Sequence, residues 1–145
     1  EVTIPMGPVA SQEAIKELST PVLQLREGLL ILPIVGALNS ARARQLTEQL
    51  LRAIASRRAK MVVMDVTGVP AVDSKVANHL VQTVAASRLM GATVIVTGLT
   101  PEVAQALVAI GVDLSSVKTA GDLQSGIEEA ELLLGYRVVK VETAP

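Results

Sequence analysis

The chain has 145 residues, half of them hydrophobic, and 13 Lys and Arg nearly balance 14 Asp and Glu. Phe and Trp are absent and Tyr occurs once. Cys is also absent, and this excludes disulfides, thiolate metal sites and a Cys nucleophile. Nucleic acid is not an expected partner, because the chain has no cluster of basic residues to neutralise phosphates and almost no aromatic rings on which bases could stack. The length predicts one domain with a core of Val, Leu, Ile, Ala and Met.

The first predicted segment, residues 1–19, has the composition of a linker followed by a short helix. Two prolines and a glycine fall in its first ten residues, and Ser11 has the residue type and position of a helix N-cap. We expect the natural chain to continue upstream of this segment. The longest apolar run, residues 29–38, is too short to span a bilayer, and no signal peptide is recognisable. We therefore expect a cytoplasmic protein without a membrane partner.

The middle of the chain alternates between strand and helix patterns. Residues 22–35 predict two strands joined by a turn at Glu27 and Gly28. Residues 40–58 predict an amphipathic helix with Asn39 or Ser40 as its cap and an inner face of Ala43, Leu46, Leu50 and Ile54. A buried strand is predicted at residues 61–66, before a helix from Ser74 to Met90 with inner residues Val76, Leu80, Val84 and Leu89.

The last third of the chain continues this alternation. Residues 92–98 predict a buried strand, and Pro101 lies in the first turn of a third helix, a position that proline favours. A brief strand is predicted within residues 112–119, and a terminal helix within residues 120–135. The remaining tail is an added strand or an extension. The pattern predicts an α/β domain whose opening hairpin makes the sheet mixed.

No catalytic or nucleotide-binding signature occurs in the chain. The phosphate-binding loop, the dinucleotide fingerprint and the nucleophile elbow are all missing. The single histidine, His79, lies more than one helical turn after Ser74, so a structural histidine is a better interpretation than a triad member. No carboxylate–histidine cluster has metal-ligand spacing. We expect no enzymatic activity, no metal and no cofactor.

Two weaker candidate features lie at the end of the buried strand at residues 61–66 and just after it. Asp65 lies where α/β sheets place binding groups, although a carboxylate satisfied by loop N–H groups is the more frequent situation. Thr67 and Gly68 are compatible with a backbone nest for an anion, and a plain turn is the more common structure.

Ser74, preceded by Asp73, is the sharpest candidate. Either residue could cap the following helix, which is the common role of such a pair. A hydroxyl at a helix N-terminus is also open to modification, because a phosphate there faces free N–H groups and the positive end of the helix dipole. The added charge, roughly −1.5 to −2, would lie beside Asp65 and Asp73 and could change which partner binds. The local pattern does not choose between cap and switch.

A long stretch around this candidate resembles a known family. VVMDVTGVPAVDSKVANHL, followed by SRLMGATVIVTGLTPEVAQALVAIGVDLSSV, resembles the STAS domain of anti-sigma-factor antagonists, and more closely the stressosome scaffold proteins of the RsbR and RsbS types. The upstream IKELSTPVLQLREGLLILPIVGALNSARARQLTEQLL is similar to the RsbR-type pattern, in which a linker helix joins a sensor domain to the STAS domain. The resemblance covers residues 12–133. It implies a STAS domain at 20–135 with a mixed sheet of four to five strands and about four helices, a linker at 1–19 and a tail at 136–145.

The resemblance also implies a phosphorylation site. In this family a Ser or Thr in a [VI]-D-[ST] element is phosphorylated by a dedicated serine/threonine kinase, and the matching residue is Ser74. Asp65 matches an acidic position near that site, beside Thr67, Gly68 and Asp73. RsbR-type members usually carry Thr and RsbS carries Ser, so an RsbR-like sequence here holds an RsbS-like residue. A second RsbR phosphosite, in an A-Q-T context, corresponds to Ala106, which predicts a single phosphosite.

The function implied by the resemblance is that of a non-enzymatic scaffold. Dimers assemble with an RsbS-like paralogue into a large stressosome shell that holds a switch kinase, releases it on phosphorylation and is reset by a phosphatase. Three alternatives remain open on the sequence. They are a simple anti-sigma-factor antagonist that binds its anti-sigma kinase, a STAS domain of another regulatory protein such as an anion transporter, and an enzyme or nucleotide-binding α/β domain.

Overall fold

The computed structural model describes residues 22–111, 113–115, 117–136 and 141. The predicted linker and helix at residues 1–19, and all of the tail except residues 136 and 141, lie outside these ranges. The described strands are β1 (Leu23–Arg26), β2 (Leu29–Val35), β3 (Met61–Gly68), β4 (Thr93–Thr97) and β5 (Lys118–Ala120). The described helices are α1 (Ser40–Arg57), α2 (Ser74–Leu89), α3 (Pro101–Ala109) and α4 (Leu123–Leu133).

The strands form one mixed sheet in the order β1-β2-β3-β4-β5. The β1–β2 pair is antiparallel, and every later pair is parallel. The hairpin turns at Gly28, whose φ of 83° belongs to the left-handed region that glycine adopts without strain. This sheet and the four described helices confirm the predicted α/β architecture.

Both faces of the sheet are covered, which explains why its central strands are almost continuously apolar. Alternate residues of β2 point to opposite faces. Leu30, Leu32 and Ile34 join the larger core beneath α1, α2 and α3. Leu29 and Ile31 join a smaller core on the other face, where α4 packs against β3, β4 and β5.

Each of the four described helices begins behind a side chain that accepts an N–H from the first turn. This contact satisfies a donor that has no partner inside the helix. The pairs are Asn39 with Arg42, Asp73 with Val76, Thr100 with Val103, and Asp122 with Ser125. Of the alternatives left open by the sequence, the caps of α1 and α2 are therefore Asn39 and Asp73, and not Ser40 or Ser74.

One prediction about the inner face of a helix is wrong. Leu89, expected on the inner face of α2, is 91% exposed. It follows the buried Val84 by five positions, which turns it about 140° around the helix axis. The brief strand expected within residues 112–119 is present as β5, which runs from Lys118 to Ala120 and so ends one residue beyond that range. The preceding apolar residues Leu114 and Val117 pack against the core from a loop instead of pairing with β4.

Gly126 allows α4 to approach the sheet closely. A Cβ at this position would overlap Thr97 Cγ2 and lie 3.2 Å from Val63 Cγ1. Gly126→Ala is therefore expected to lower the free energy of unfolding by about 1–3 kcal/mol, although alanine favours helix more than glycine does. Urea denaturation measures this change. Gly121→Ala is the control, because a Cβ there meets nothing within 4 Å. Equal stability of the two variants would contradict the close packing.

Candidate functional site

The candidate site lies at the carboxyl edge of the parallel strands, where the N-termini of the following helices also meet. The loop at residues 69–73 leads from β3 to α2, and Val69 anchors it because its side chain is fully buried. Thr100, the cap of α3, also donates a long hydrogen bond of 3.4 Å to the carbonyl of Pro70. The starts of α2 and α3 are therefore held side by side.

Ser74 is the first residue of α2, and its side chain is exposed. Asp73 Oδ1 accepts the Val76 N–H at 2.8 Å and so performs the capping role. Among the residues that the structure describes, the Ser74 hydroxyl has no hydrogen-bond partner. The cap and the candidate phosphosite are thus different residues, and the hydroxyl is free to react.

The first turn of α2 offers a favourable environment for a negative charge. The Val76 N–H is engaged by Asp73, and the Ala77 N–H makes the first helical bond, to the Asp73 carbonyl at 2.9 Å. The N–H groups of Ser74 and Lys75 precede it and have no intrahelical acceptor. The positive end of the helix dipole and the exposed Lys75 ammonium add to their effect. Asp73 is the opposing negative charge.

Asp65 is half-buried and braces the ends of β3 and β4. Its Oδ1 accepts hydrogen bonds from Thr67 Oγ1 at 2.9 Å and from Thr97 Oγ1 at 2.7 Å. The expectation that loop N–H groups could satisfy this carboxylate is wrong, because two hydroxyls do so. Thr97 is fully buried, whereas Thr67 is exposed. The carboxylate is therefore fixed in place, with its charge close to the surface.

Thr67 and Gly68 form neither a turn nor a nest, because β3 continues through both. Gly68 pairs with Val35 of β2, and its carbonyl accepts the Gly36 N–H at 3.0 Å. A Cβ at Gly68 would lie 3.2 Å from Val35 Cα, so the residue is small to let the two strand ends approach. The plain turn that the sequence favoured and the nest that it left open are therefore both replaced by the end of a strand.

Thr97 and Gly98 were not candidate site residues in the sequence analysis. The position of Thr97 within its strand could have indicated that it lies beside Asp65. Asp65 and Thr97 are each the fifth residue of their strand and face each other in the parallel register. Gly98 has a φ of 73°, and a Cβ there would overlap Thr67 Oγ1. Gly98 therefore leaves the room in which Thr67 reaches Asp65.

The remaining chemistry-bearing residues do not converge on this edge. His79 is half-buried, and its carbonyl accepts the Thr83 hydroxyl at 2.8 Å. Within the described ranges, no group of three or more His, Asp or Glu side chains is placed to hold a metal ion. In the same part of the chain, no helix combines the length and the apolar composition needed to cross a bilayer.

The hydrogen bond from Thr97 to Asp65, which joins the ends of β3 and β4, gives a prediction about folding stability. Thr97→Val keeps the shape of a buried side chain but removes a charge-assisted hydrogen bond. We expect a loss of about 1.5–3 kcal/mol of folding free energy, measured by urea denaturation. Thr67→Val, at the exposed partner of the same carboxylate, should cost clearly less because water can replace its hydroxyl. A larger loss of folding free energy for Thr67→Val than for Thr97→Val would contradict the greater contribution of the buried hydrogen bond.

Comparison with known proteins identifies the family. The family model of the STAS domain matches residues 20–129, and the chain belongs to this family. The RsbT co-antagonist protein RsbRA of Bacillus subtilis (strain 168) is 39% identical over 128 residues, which are 88% of this chain and 47% of RsbRA. The chain thus spans less than half the length of that relative.

Two solved structures agree with this assignment. A Ser-to-Glu variant of RsbS from Moorella thermoacetica superposes with a TM-score of 0.71 at 28% identity, covering 81% of this chain and 98% of RsbS. A chain from a structure of the stressosome, described as a signal integration and transduction hub, gives 0.65 at 29% identity, covering 79% and 98%. The predicted STAS fold and the resemblance to RsbR-type stressosome domains are confirmed.

Proposed function

We propose that this STAS domain is the phospho-switch of a stressosome-type scaffold, in which phosphorylation of Ser74 releases a bound serine/threonine switch kinase. The observation that carries the proposal is the exposed Ser74 hydroxyl. It lies at the start of α2, without a hydrogen bond to any described residue, while Asp73 caps the helix. Ser74 is also the residue that matches the family phosphosite.

A phosphate at Ser74 acts on the surface and leaves the fold intact. It adds roughly −1.5 to −2 charges next to the Asp73 carboxylate. The unused N–H groups of the first turn and the Lys75 ammonium hold it, since helix N-termini favour anions. Because Asp73 remains the cap, α2 keeps its structure. A kinase surface that fits the neutral hydroxyl then meets a strongly negative patch and dissociates.

The proposed partners follow from the relatives. RsbRA is named as an RsbT co-antagonist, and one matched structure is that of a stressosome. We assign to this chain dimers that assemble with an RsbS-like paralogue in the cytoplasm, an RsbT-type kinase as the sequestered partner, and a phosphatase that resets the switch. The domain itself performs no catalysis and needs no cofactor. Residues 1–19 link it to an upstream sensor domain, and residues 136–145 form a tail.

Tandem mass spectrometry after incubation with the kinase and ATP tests the phosphosite. We expect one phosphate, on Ser74. None is expected on Thr97 or Thr100, because neither matches a family phosphosite, and none at the companion position, because Ala106 has no hydroxyl. Ser74→Ala should remain unmodified. Ser56→Ala changes an exposed serine near the end of α1 and should be modified like the wild type. An unmodified Ser74 in the wild-type protein would overturn the proposal.

The size of the assembly tests the scaffold. Full-length protein mixed with its RsbS-like paralogue should elute from a size-exclusion column as a megadalton complex. Elution as a dimer or monomer that still binds a kinase would instead indicate a simple anti-sigma-factor antagonist.

A further inference from the structure

A basic cleft lies at the opposite edge of the sheet from Ser74. It is an open groove of about 400 Å³ between the β1–β2 turn, the C-terminus of α1 and the end of α4. The lining residues are Glu27, Gly28, Arg57, Arg58, Lys60, Leu134 and Tyr136. Three positive side chains therefore face one carboxylate, in a chain whose net charge is −1.

Of these three cationic side chains, one makes a hydrogen bond within the fold. Arg57 lies in the last turn of α1, where the helix dipole favours a cation, and its Nη1 donates to Gln24 Oε1 at 2.7 Å. Arg58 and Lys60 are exposed, and neither side chain has a hydrogen-bond or ion-pair partner in the described part of the chain. Glu27 does not neutralise them, since it forms no ion pair with either. Two positive charges are left for a ligand.

The backbone of Arg58 is an independent observation. Its φ of 50° and ψ of 46° place it in the left-handed region, where its N–H caps the carbonyl of Ile54. Among the described residues every other positive-φ position is a glycine. Glycine is the usual residue at this place after a helix because a side chain is strained there. In this chain the strained position instead carries an arginine, which lines the cleft.

The far wall of the cleft is preformed. Tyr136, the single aromatic residue of the chain, lies under the Arg26 guanidinium at 4.3 Å from the ring centre. Arg26 also forms a 2.7 Å ion pair with Glu131 of α4. The positive charge of Arg26 is therefore neutralised within the wall, and the ring is held in position beside the cleft.

We propose that this cleft binds a phosphate-type oxyanion, free or as a phosphate ester, with Arg58 and Lys60 as its contacts. A guanidinium donates two parallel hydrogen bonds to such an anion, and an ammonium adds a point charge. The volume exceeds that of inorganic phosphate and leaves room for the organic part of an ester along Leu134 and Tyr136. The site uses none of the residues around Ser74 and stands apart from the proposed switch.

Titration of the ¹⁵N-labelled protein with sodium phosphate, and separately with glycerol phosphate, tests the site at constant ionic strength. We expect saturable shifts of the Gly28, Arg58 and Lys60 amides. Lys60→Gln and Arg58→Gly should each weaken binding about tenfold. Arg58→Gly should also raise the melting temperature by about 2–4 °C, because it removes backbone strain. Arg52→Gln, an exposed cation of α1 outside the cleft, should bind like the wild type.

Tighter binding of glycerol phosphate assigns the cleft to an ester, and equal binding assigns it to free phosphate. Shifts that grow linearly, or that sodium chloride reproduces, would overturn the proposal. So would an Arg58→Gly variant with unchanged affinity, or saturation by a poly-glutamate peptide and not by either phosphate.

Discussion

Ser74→Ala is expected to abolish phosphorylation of this domain while leaving its free energy of unfolding within about 0.5 kcal/mol of the wild type. The stability is unchanged because the Ser74 hydroxyl is exposed and has no hydrogen bond within the described residues. Asp73→Ala removes the acceptor of the Val76 N–H and should lower the free energy of unfolding by about 0.5–2 kcal/mol. Urea denaturation and phosphate incorporation measure the two effects on the same samples.

Two further variants separate the cap from the charge. Asp73→Asn keeps a capping oxygen, so it should retain most of the stability that Asp73→Ala loses. Ser74→Asp leaves the Asp73 cap in place, so its effect should appear in kinase binding and not in the melting temperature. If Ser74→Ala destabilised the domain as much as Asp73→Ala, Ser74 would be part of the cap and the separation of roles would be wrong.

Gly98→Ala is expected to be among the most damaging small substitutions at the candidate site, with a loss of about 2–4 kcal/mol. The φ of 73° strains any side chain, and a Cβ would also overlap Thr67 Oγ1 and lie 3.0 Å from Thr67 Cα. Because Thr67 donates to Asp65, the displacement should disturb the brace between β3 and β4. Chemical denaturation measures the loss, and the amide shifts of Asp65 and Thr67 locate it.

Gly91→Ala is the matched control for this variant. Gly91 has a φ of 90°, but a Cβ there would meet nothing within 4 Å. It should therefore show only the backbone strain, about 1–2 kcal/mol. The difference between the two variants reports the contact with Thr67. Equal losses would mean that Gly98 serves backbone conformation alone.

The fold could be predicted from the sequence because each element carries a local signal. The buried positions Ala43, Leu46, Leu50 and Ile54 of α1 recur at helical spacing and were all expected. Errors arose where the local signal ended. Leu89 is apolar but follows the core-facing series at the wrong angle. The fifth strand, three residues long and at the sheet edge, was located to within one residue, but its bounds inside the expected range depend on pairing with β4.

The candidate site was only partly predictable. Ser74 could be located by its family motif, but Asp and Ser are both good caps, so the choice between them needed the hydrogen bond to Val76. The partners of Asp65 depend on the register of β3 against β4. The basic cleft joins residues that are far apart in the chain, and the left-handed backbone of Arg58 has no signature in the sequence.

Retention of the kinase by the assembled scaffold tests the central claim most directly. Full-length protein, its RsbS-like paralogue and the kinase are assembled, ATP is added, and the kinase that co-sediments with the complex is measured over time. Wild-type and Ser56→Ala assemblies should release the kinase as Ser74 becomes phosphorylated, whereas Ser74→Ala assemblies should retain it. Release from the Ser74→Ala assembly at the wild-type rate would contradict the account.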